Sequence, residues 1–268
     1  MTVLPGGERS SATYVWQHAL GGEPERLRLM SDILDASSRF HLQQIGVGRG
    51  WRCLEVGAGN GSLSEWIADR VGPDGVAIAT DLNPDLLKDA SGSHLEVRGF
   101  DVVTEEPTDG PYDLVLARAL LHHLPQRREV VAKLARWVRP GGWIFLQEPD
   151  FYPTGTVEPE DQRLFWQGFL RWAEQHQIDY FVGREVAPWL QEEGLVELAA
   201  EGHTTLYNGG SAYARWWQLG IAEVADQLLD QGATDSTTLD EFFRLYDDPS
   251  YWTMTIAFTA VTGRRREA

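Results

Sequence analysis

Residues Leu54-Glu55-Val56-Gly57-Ala58-Gly59-Asn60-Gly61-Ser62 constrain this chain more than any other stretch. A short apolar run containing an acid leads into a turn with glycine at every second position. A helix start, Ser62-Leu63-Ser64-Glu65, follows and fits a capping box. Glycines at 57, 59 and 61 allow backbone conformations closed to other residues and let N–H groups approach a ligand without Cβ obstruction. A strand, a glycine turn and a helix in this order form the mouth of a βα unit, where nucleotide-like ligands bind.

The surrounding pattern extends that unit into a sheet. Trp51–Val56 reads as strand one and Leu63–Val71 as an amphipathic helix closed by Gly72-Pro73-Asp74-Gly75. Val76–Thr80 reads as strand two, ending at Asp81, with Asn83-Pro84 capping and starting a second helix. Leu95–Phe100 is a third strand ending at Asp101. Tyr112–Ala117 is a fourth, nearly all apolar, as in the centre of a parallel sheet. Gln126–Val138 is helical, Arg139-Pro140-Gly141-Gly142 a turn, and Trp143–Gln147 a fifth strand. This alternation predicts a Rossmann-like, doubly wound α/β sheet with right-handed crossovers.

Beyond Pro149 the pattern becomes mainly helical, with segments at Pro159–Gln177, Arg184–Glu193, Ser211–Asp230 and Leu239–Tyr246. Two β-rich segments, Leu195–Tyr207 and Tyr251–Thr262, are set among them. One domain is expected: an N-terminal helical lid (1–45), a cofactor-binding core (46–150), and late strands carrying a helical substrate cap (151–268). Seven of the eleven tryptophans lie beyond residue 140. Trp166, Trp172, Trp189, Trp216 and Trp217 fall on the expected cap helices, as core packing or as the wall of an aromatic acceptor pocket.

The candidate ligand groups all stand at the carboxyl ends of strands. Glu55, Gly57, Ala58 and Gly59 follow strand one. Asp81, with Leu82 beside it, follows strand two and is placed to accept from both ribose hydroxyls. Asp101 and Val102 follow strand three, Asp101 placed to accept from an adenine amino group, with turn formation as the alternative. Ala117 and Arg118 follow strand four. His122 and His123 come just after, as candidate general bases. Adjacent helical residues diverge by about 100°, so one of the two at most is expected to face a pocket. The other histidines show no metal-ligand spacing, and no metal is expected.

These motifs together resemble those of class I S-adenosylmethionine-dependent methyltransferases. Glu55–Gly61 matches the E/D-x-G-x-G-x-G motif, and Asp81 and Asp101 match the acids after strands two and three. Tyr112–Ala117 with Leu121-His122-His123-Leu124-Pro125, and Arg139–Gly142 before strand five, match the remaining two. The resemblance implies S-adenosylmethionine as cofactor and a seven-stranded sheet whose last strand, Tyr251–Thr262, is antiparallel and inserted beside Leu195–Tyr207. The opening also resembles a bacterial small-molecule branch in which a tyrosine precedes an E-x-x-R-L helix, here Tyr14 and Glu23-Pro24-Glu25-Arg26-Leu27. By that similarity Tyr14 and Arg26 contact the cofactor's carboxylate. The expected activity is methyl transfer to oxygen, nitrogen or carbon of a small, apolar or aromatic metabolite. A cofactor-binding scaffold or a non-methylating enzyme on the same fold is the alternative.

Other classes fit poorly. A nicotinamide oxidoreductase calls for G-x-G-x-x-G, which the alternating glycines do not supply. The N/D-P-P-Y/F/W signature of base methylation is missing, since Ala117-Arg118-Ala119-Leu120 stands there. A formal charge of −17 opposes nucleic acid. Membrane association is not expected, a cytoplasmic location is, and a homodimer through the helical insertions is compatible. The single cysteine, Cys53, is expected to be buried in strand one.

Overall fold

A computed structural model describes residues 22–151 and 159–267. Tyr14 lies outside the described residues. Seven strands form one sheet in the order β3-β2-β1-β4-β5-β9-β6: β1 (Arg52–Val56), β2 (Val76–Asp81), β3 (Leu95–Gly99), β4 (Tyr112–Arg118), β5 (Val138–Asp150), β6 (Val196–Thr204) and β9 (Ala257–Arg264). The first five are parallel, whereas β9 runs antiparallel between β5 and β6. A separate ribbon pairs β7 (Tyr207–Asn208) with β8 (Trp252–Thr253).

Side chains along the central strands alternate between two apolar layers, as a sheet covered on both faces requires. On one face Leu54, Val115 and Ile144 pack against α3 (Arg127–Trp137) and α5 (Val186–Glu192). On the other, Cys53, Leu114 and Phe145 pack against α1 (Glu23–Gln44) and α2 (Ser62–Val71). A third, aromatic cluster joins α4 (Glu160–Gln175), α6 (Ala212–Asp230) and α7 (Ser236–Asp247) to Phe151 and to Leu29 and Leu34 of α1. Phe151 follows directly on β5, so this cluster caps the carboxyl end of that strand. Trp189 departs from expectation: it sits on α5 under the sheet and packs in the α3 layer, outside the aromatic cap.

Several local expectations are corrected. The helix expected after Asn83 is a single 3₁₀ turn, Pro84–Leu87, held by the Asn83 side chain accepting from Asp85 N–H at 3.2 Å. It stops early because Leu87 and Ala90 pack directly on the glycine turn: a Cβ at Gly61 would lie 2.8 Å from Ala90 Cβ. The capping box does not form. Gly61 is the N-cap of α2, while Glu65 accepts from Ser91 N–H at 2.7 Å. Residues 139–142 lie within β5, where the register against β4 shifts. The segment 251–262 divides into β8 and β9. Between them the buried Thr255 hydroxyl takes the Trp217 indole N–H at 2.9 Å and pairs with the Tyr207 hydroxyl at 2.9 Å, which turns the chain out of the strand.

Candidate cofactor and acceptor site

The glycine turn crosses the carboxyl ends of β1 and β2. Gly59 and Gly61 have φ of +58° and +80°, where an L side chain is strained. A Cβ on Gly59 would also press on Leu27 of α1 at 3.3 Å. The turn's own amides are largely spent: Gly57 and Ala58 N–H both donate to Thr80 O at 2.9 Å, Gly61 N–H to Ala58 O at 2.9 Å, and Gly59 N–H to Asp81 Oδ2 at 3.0 Å. The expectation that these N–H groups face a ligand is therefore corrected. A turn with these four N–H groups used internally forms no nest for a phosphate. It suits a nucleoside whose charge is not on phosphate.

Asp81 also accepts from Asn83 N–H at 3.0 Å through Oδ1. Both oxygens are thus oriented by backbone N–H groups. Beside it Leu82 is 66% exposed, an apolar surface at the strand end. Asp101 accepts from Val103 N–H at 2.9 Å and from the Thr104 hydroxyl at 2.8 Å, the geometry of a turn former. Val102 is buried in the layer under α3, and Ala117 is buried in the same layer. Glu55 points to α2, where the Ser64 hydroxyl donates to it. Burial pushes its carboxyl up to about 7, against the opposing pull of Arg118 and of the Ser64 hydrogen bond.

Arg118 is buried and bound to α1, 2.7 Å from Asp35 Oδ1 and 3.2 Å from Ser38 Oγ. The same helix face brings Ser31 Oγ within 3.0 Å of Asn60 Oδ1 and Ser38 Oγ within 2.6 Å of Gln147 Oε1. Ser62 Oγ adds a bond to Asp35 at 3.2 Å. A polar stripe at 31, 35 and 38 therefore seats α1 on the glycine turn and on the ends of β4 and β5. This stripe was missed in the sequence, although polar residues at i, i+4 and i+7 on a helix between apolar ones were its signal. Arg26, one turn earlier, is buried and forms a bidentate pair with Glu23 at 2.7 Å.

The strand-four turn, Leu121–His123, is a 3₁₀ turn. His122 and His123 do not diverge as a helix would direct: their ring centroids lie 3.7 Å apart. The Tyr180 ring meets His122 with centroids 5.2 Å apart and planes tilted by 34°. Burial, and then the positive charges of Arg26 and Arg127, lower His122 to about 3. His123 is also driven well down, by burial and by His122 and Arg26. Both rings are neutral at working pH.

Glu148 organises this turn and was missed, because the fifth strand was ended at Gln147, one residue short of it. Fully buried at the end of β5, it accepts from Leu120 and Leu121 N–H through Oε1, both at 2.9 Å. Its Oε2 accepts from His122 N–H at 3.3 Å and lies 3.1 Å from His122 Nδ1. When Glu148 is ionised, its Oε2 accepts from the Nδ1–H of His122 and Nε2 carries the ring's lone pair. Burial raises the Glu148 carboxyl to about 7, against the lowering effect of the three backbone bonds.

A glycine turn without a phosphate nest, an oriented acid at the end of β2 and a β3-β2-β1-β4-β5-β9-β6 sheet with β9 antiparallel define a class I methyltransferase fold. The methyltransferase-domain family matches residues 22–199, and this chain belongs to it. The ubiquinone biosynthesis O-methyltransferase of Xanthomonas euvesicatoria pv. vesicatoria is 32% identical over 187 residues, covering 66% of this chain and 70% of that protein. Among solved structures, phosphoethanolamine N-methyltransferase 2 of Haemonchus contortus superposes with a TM-score of 0.60 at 13% identity, over 94% of this chain and 59% of that one. The YcgJ protein of Bacillus subtilis gives a TM-score of 0.57 at 16% identity, over 87% and 100%. At those identities the structures establish the fold. Among the described residues, no helix is long and apolar enough to cross a membrane.

Proposed function

We propose that this enzyme transfers a methyl group from S-adenosylmethionine to a small, largely apolar or aromatic acceptor, with the site formed between the strand ends, α1 and the aromatic cap. The observation that carries this reading is the meeting of a phosphate-free glycine turn and Asp81 with a neutral histidine pair under an aromatic cap. An O-methyltransferase among the curated relatives supports oxygen as the reacting atom.

The residues present fit the cofactor. Asp81 would hold the ribose hydroxyls, Leu82 would cover one face of the adenine, and Asp101 and Val102 would border its edge. The turn Gly57-Ala58-Gly59 would pass beneath the sugar and the methionine part. Arg26, with Tyr14 by similarity, would meet the carboxylate. Glu55, Ala117 and Arg118 would support from behind, Arg118 by fixing α1 over the site. When bound, S-adenosylmethionine supplies a methyl group on a sulfonium, a leaving group that needs no activation.

The protein's share is then alignment and exclusion of water. Helix α1, clamped through Asp35–Arg118, closes one side. Tyr180, Phe151 and Trp217 exclude water from another. His122, neutral and held by Glu148, would accept a hydrogen bond from an acceptor hydroxyl at Nε2 and so orient its oxygen toward the methyl group. Incubation with labelled S-adenosylmethionine and a panel of phenols, amines and activated carbon acceptors tests the reading. Calorimetry with S-adenosylhomocysteine that detects no binding would end it.

A further inference from the structure

Strand β6 ends the sheet and pairs on one side only, with β9. Every residue from Ala199 to Thr204 is exposed, so this stretch is uncovered on both faces. The outward N–H and C=O groups of such an edge are a template for another strand, and natural edges are blunted by lysine, proline or a bulge. Here the bulge lies at the start, between Val196 and Ala199, and leaves Ala199–Thr204 in unbroken register with β9. No lysine or proline occurs between Leu198 and Leu206.

The ribbon beyond the strand continues this surface. Tyr207 and Thr253 pair across it with buried side chains, so the alternate positions Leu206, Trp252 and Met254 face outward, 60%, 58% and 40% exposed. Outward strand positions in water are ordinarily polar. Three large apolar groups gathered there mark a contact surface.

The edge is also self-complementary. Two copies can pair antiparallel about a two-fold axis perpendicular to the sheet. That operation keeps each side chain on its own face, so one residue always lies on the axis. With Ala200 on the axis, the ladder runs into the bulge at Glu197, whose φ is +50°. With Glu201 there, the two carboxylates oppose each other. With His203 there, both carboxylates stand unmatched. With Gly202 there, Glu201 faces the partner's His203 twice over by symmetry, and Leu206 falls opposite the partner's Leu198. An imidazole donates a hydrogen bond to a carboxylate in either protonation state. Glu201 is free to take it: its side chain is 63% exposed, with His41 3.7 Å away.

We propose that β6 is the interface with a second copy of this chain, paired antiparallel with Gly202 on the two-fold axis, so that two seven-stranded sheets join into one. The homodimer then forms at the sheet edge and not through the helical insertions.

Sedimentation equilibrium of the full chain over a concentration series tests this. The wild type should reach twice the chain mass. His203→Glu sets like charges opposite each other at two places and should weaken association about tenfold, and adding Glu201→Lys should restore it. Gly202→Arg, whose Cβ meets nothing within the chain, should leave a monomer. Far-UV circular dichroism should be the same for all these chains, since the altered positions are exposed. A wild type that stays monomeric at every concentration overturns the assignment; β6 amides protected from hydrogen exchange in that monomer would mean that another part of the chain covers the edge. A dimer that neither His203→Glu nor Gly202→Arg weakens overturns it equally, and moves the contact to another face.

Discussion

Replacing Glu148 by glutamine tests the link between fold and chemistry most directly, because the two side chains have the same shape. The amide oxygen can keep the two 2.9 Å bonds from Leu120 and Leu121. The amide nitrogen must then occupy the Oε2 position, opposite the His122 N–H at 3.3 Å and Nδ1 at 3.1 Å. Two donors face each other at the backbone, leaving one buried N–H unsatisfied, which costs about 1–3 kcal/mol. At the ring, the new donor forces Nδ1 to accept and moves the proton to Nε2. His122 then offers no lone pair to the acceptor. Misplacing a reacting group by about 1 Å costs about 10²-fold, so turnover of a hydroxyl acceptor should fall by about 10²-fold with S-adenosylhomocysteine affinity retained. Denaturant unfolding, steady-state turnover and ¹⁵N detection of the His122 tautomer measure the three effects. A variant with unchanged stability and turnover, and with the proton still on Nδ1, would refute the reasoning.

Three further outcomes are expected. Asp81→Ala should weaken S-adenosylhomocysteine binding by about 1–3 kcal/mol through lost charge-assisted hydrogen bonds; calorimetry showing equal affinity would contradict the ribose role. For Glu55, burial raises the folded pKa from 4.5 to about 7. Its contribution to stability is therefore present below pH 4.5 and lost as pH rises through about 7. Glu55→Gln should gain on the wild type between pH 5 and pH 8, by roughly 3 kcal/mol, and parallel pH–stability curves for the two chains would count against this. Gly61→Ala should destabilise by about 1–3 kcal/mol, because the new methyl would meet Ala90 at 2.8 Å at a φ of +80°; a melting temperature equal to wild type would show that the turn relaxes freely.

Much of this protein was legible before any coordinates. The strands at 52–56, 76–81 and 112–118 are short apolar runs closed by turn residues, and each is a local property of the chain. The glycine turn is equally local, since positive φ at 59 and 61 needs only those residues to be glycine. The interior position of β9 came from resemblance, and pairing with β5 and β6 agrees with it.

The primary structure by itself therefore determined the parallel core, the turn and the acids at the strand ends, because hydrophobic period and backbone freedom act within a few residues. Only tertiary packing decided which polar groups meet. Glu148 reaches His122 across 26 positions, Arg118 reaches Asp35 across 83, and Ser38 reaches Gln147 across 109. It also decided that Trp189 lies beneath the sheet, in the α3 layer. Partners that distant are selected by how the helices seat on the sheet, and a buried polar group reveals its role only once its neighbours, or their absence, are in place.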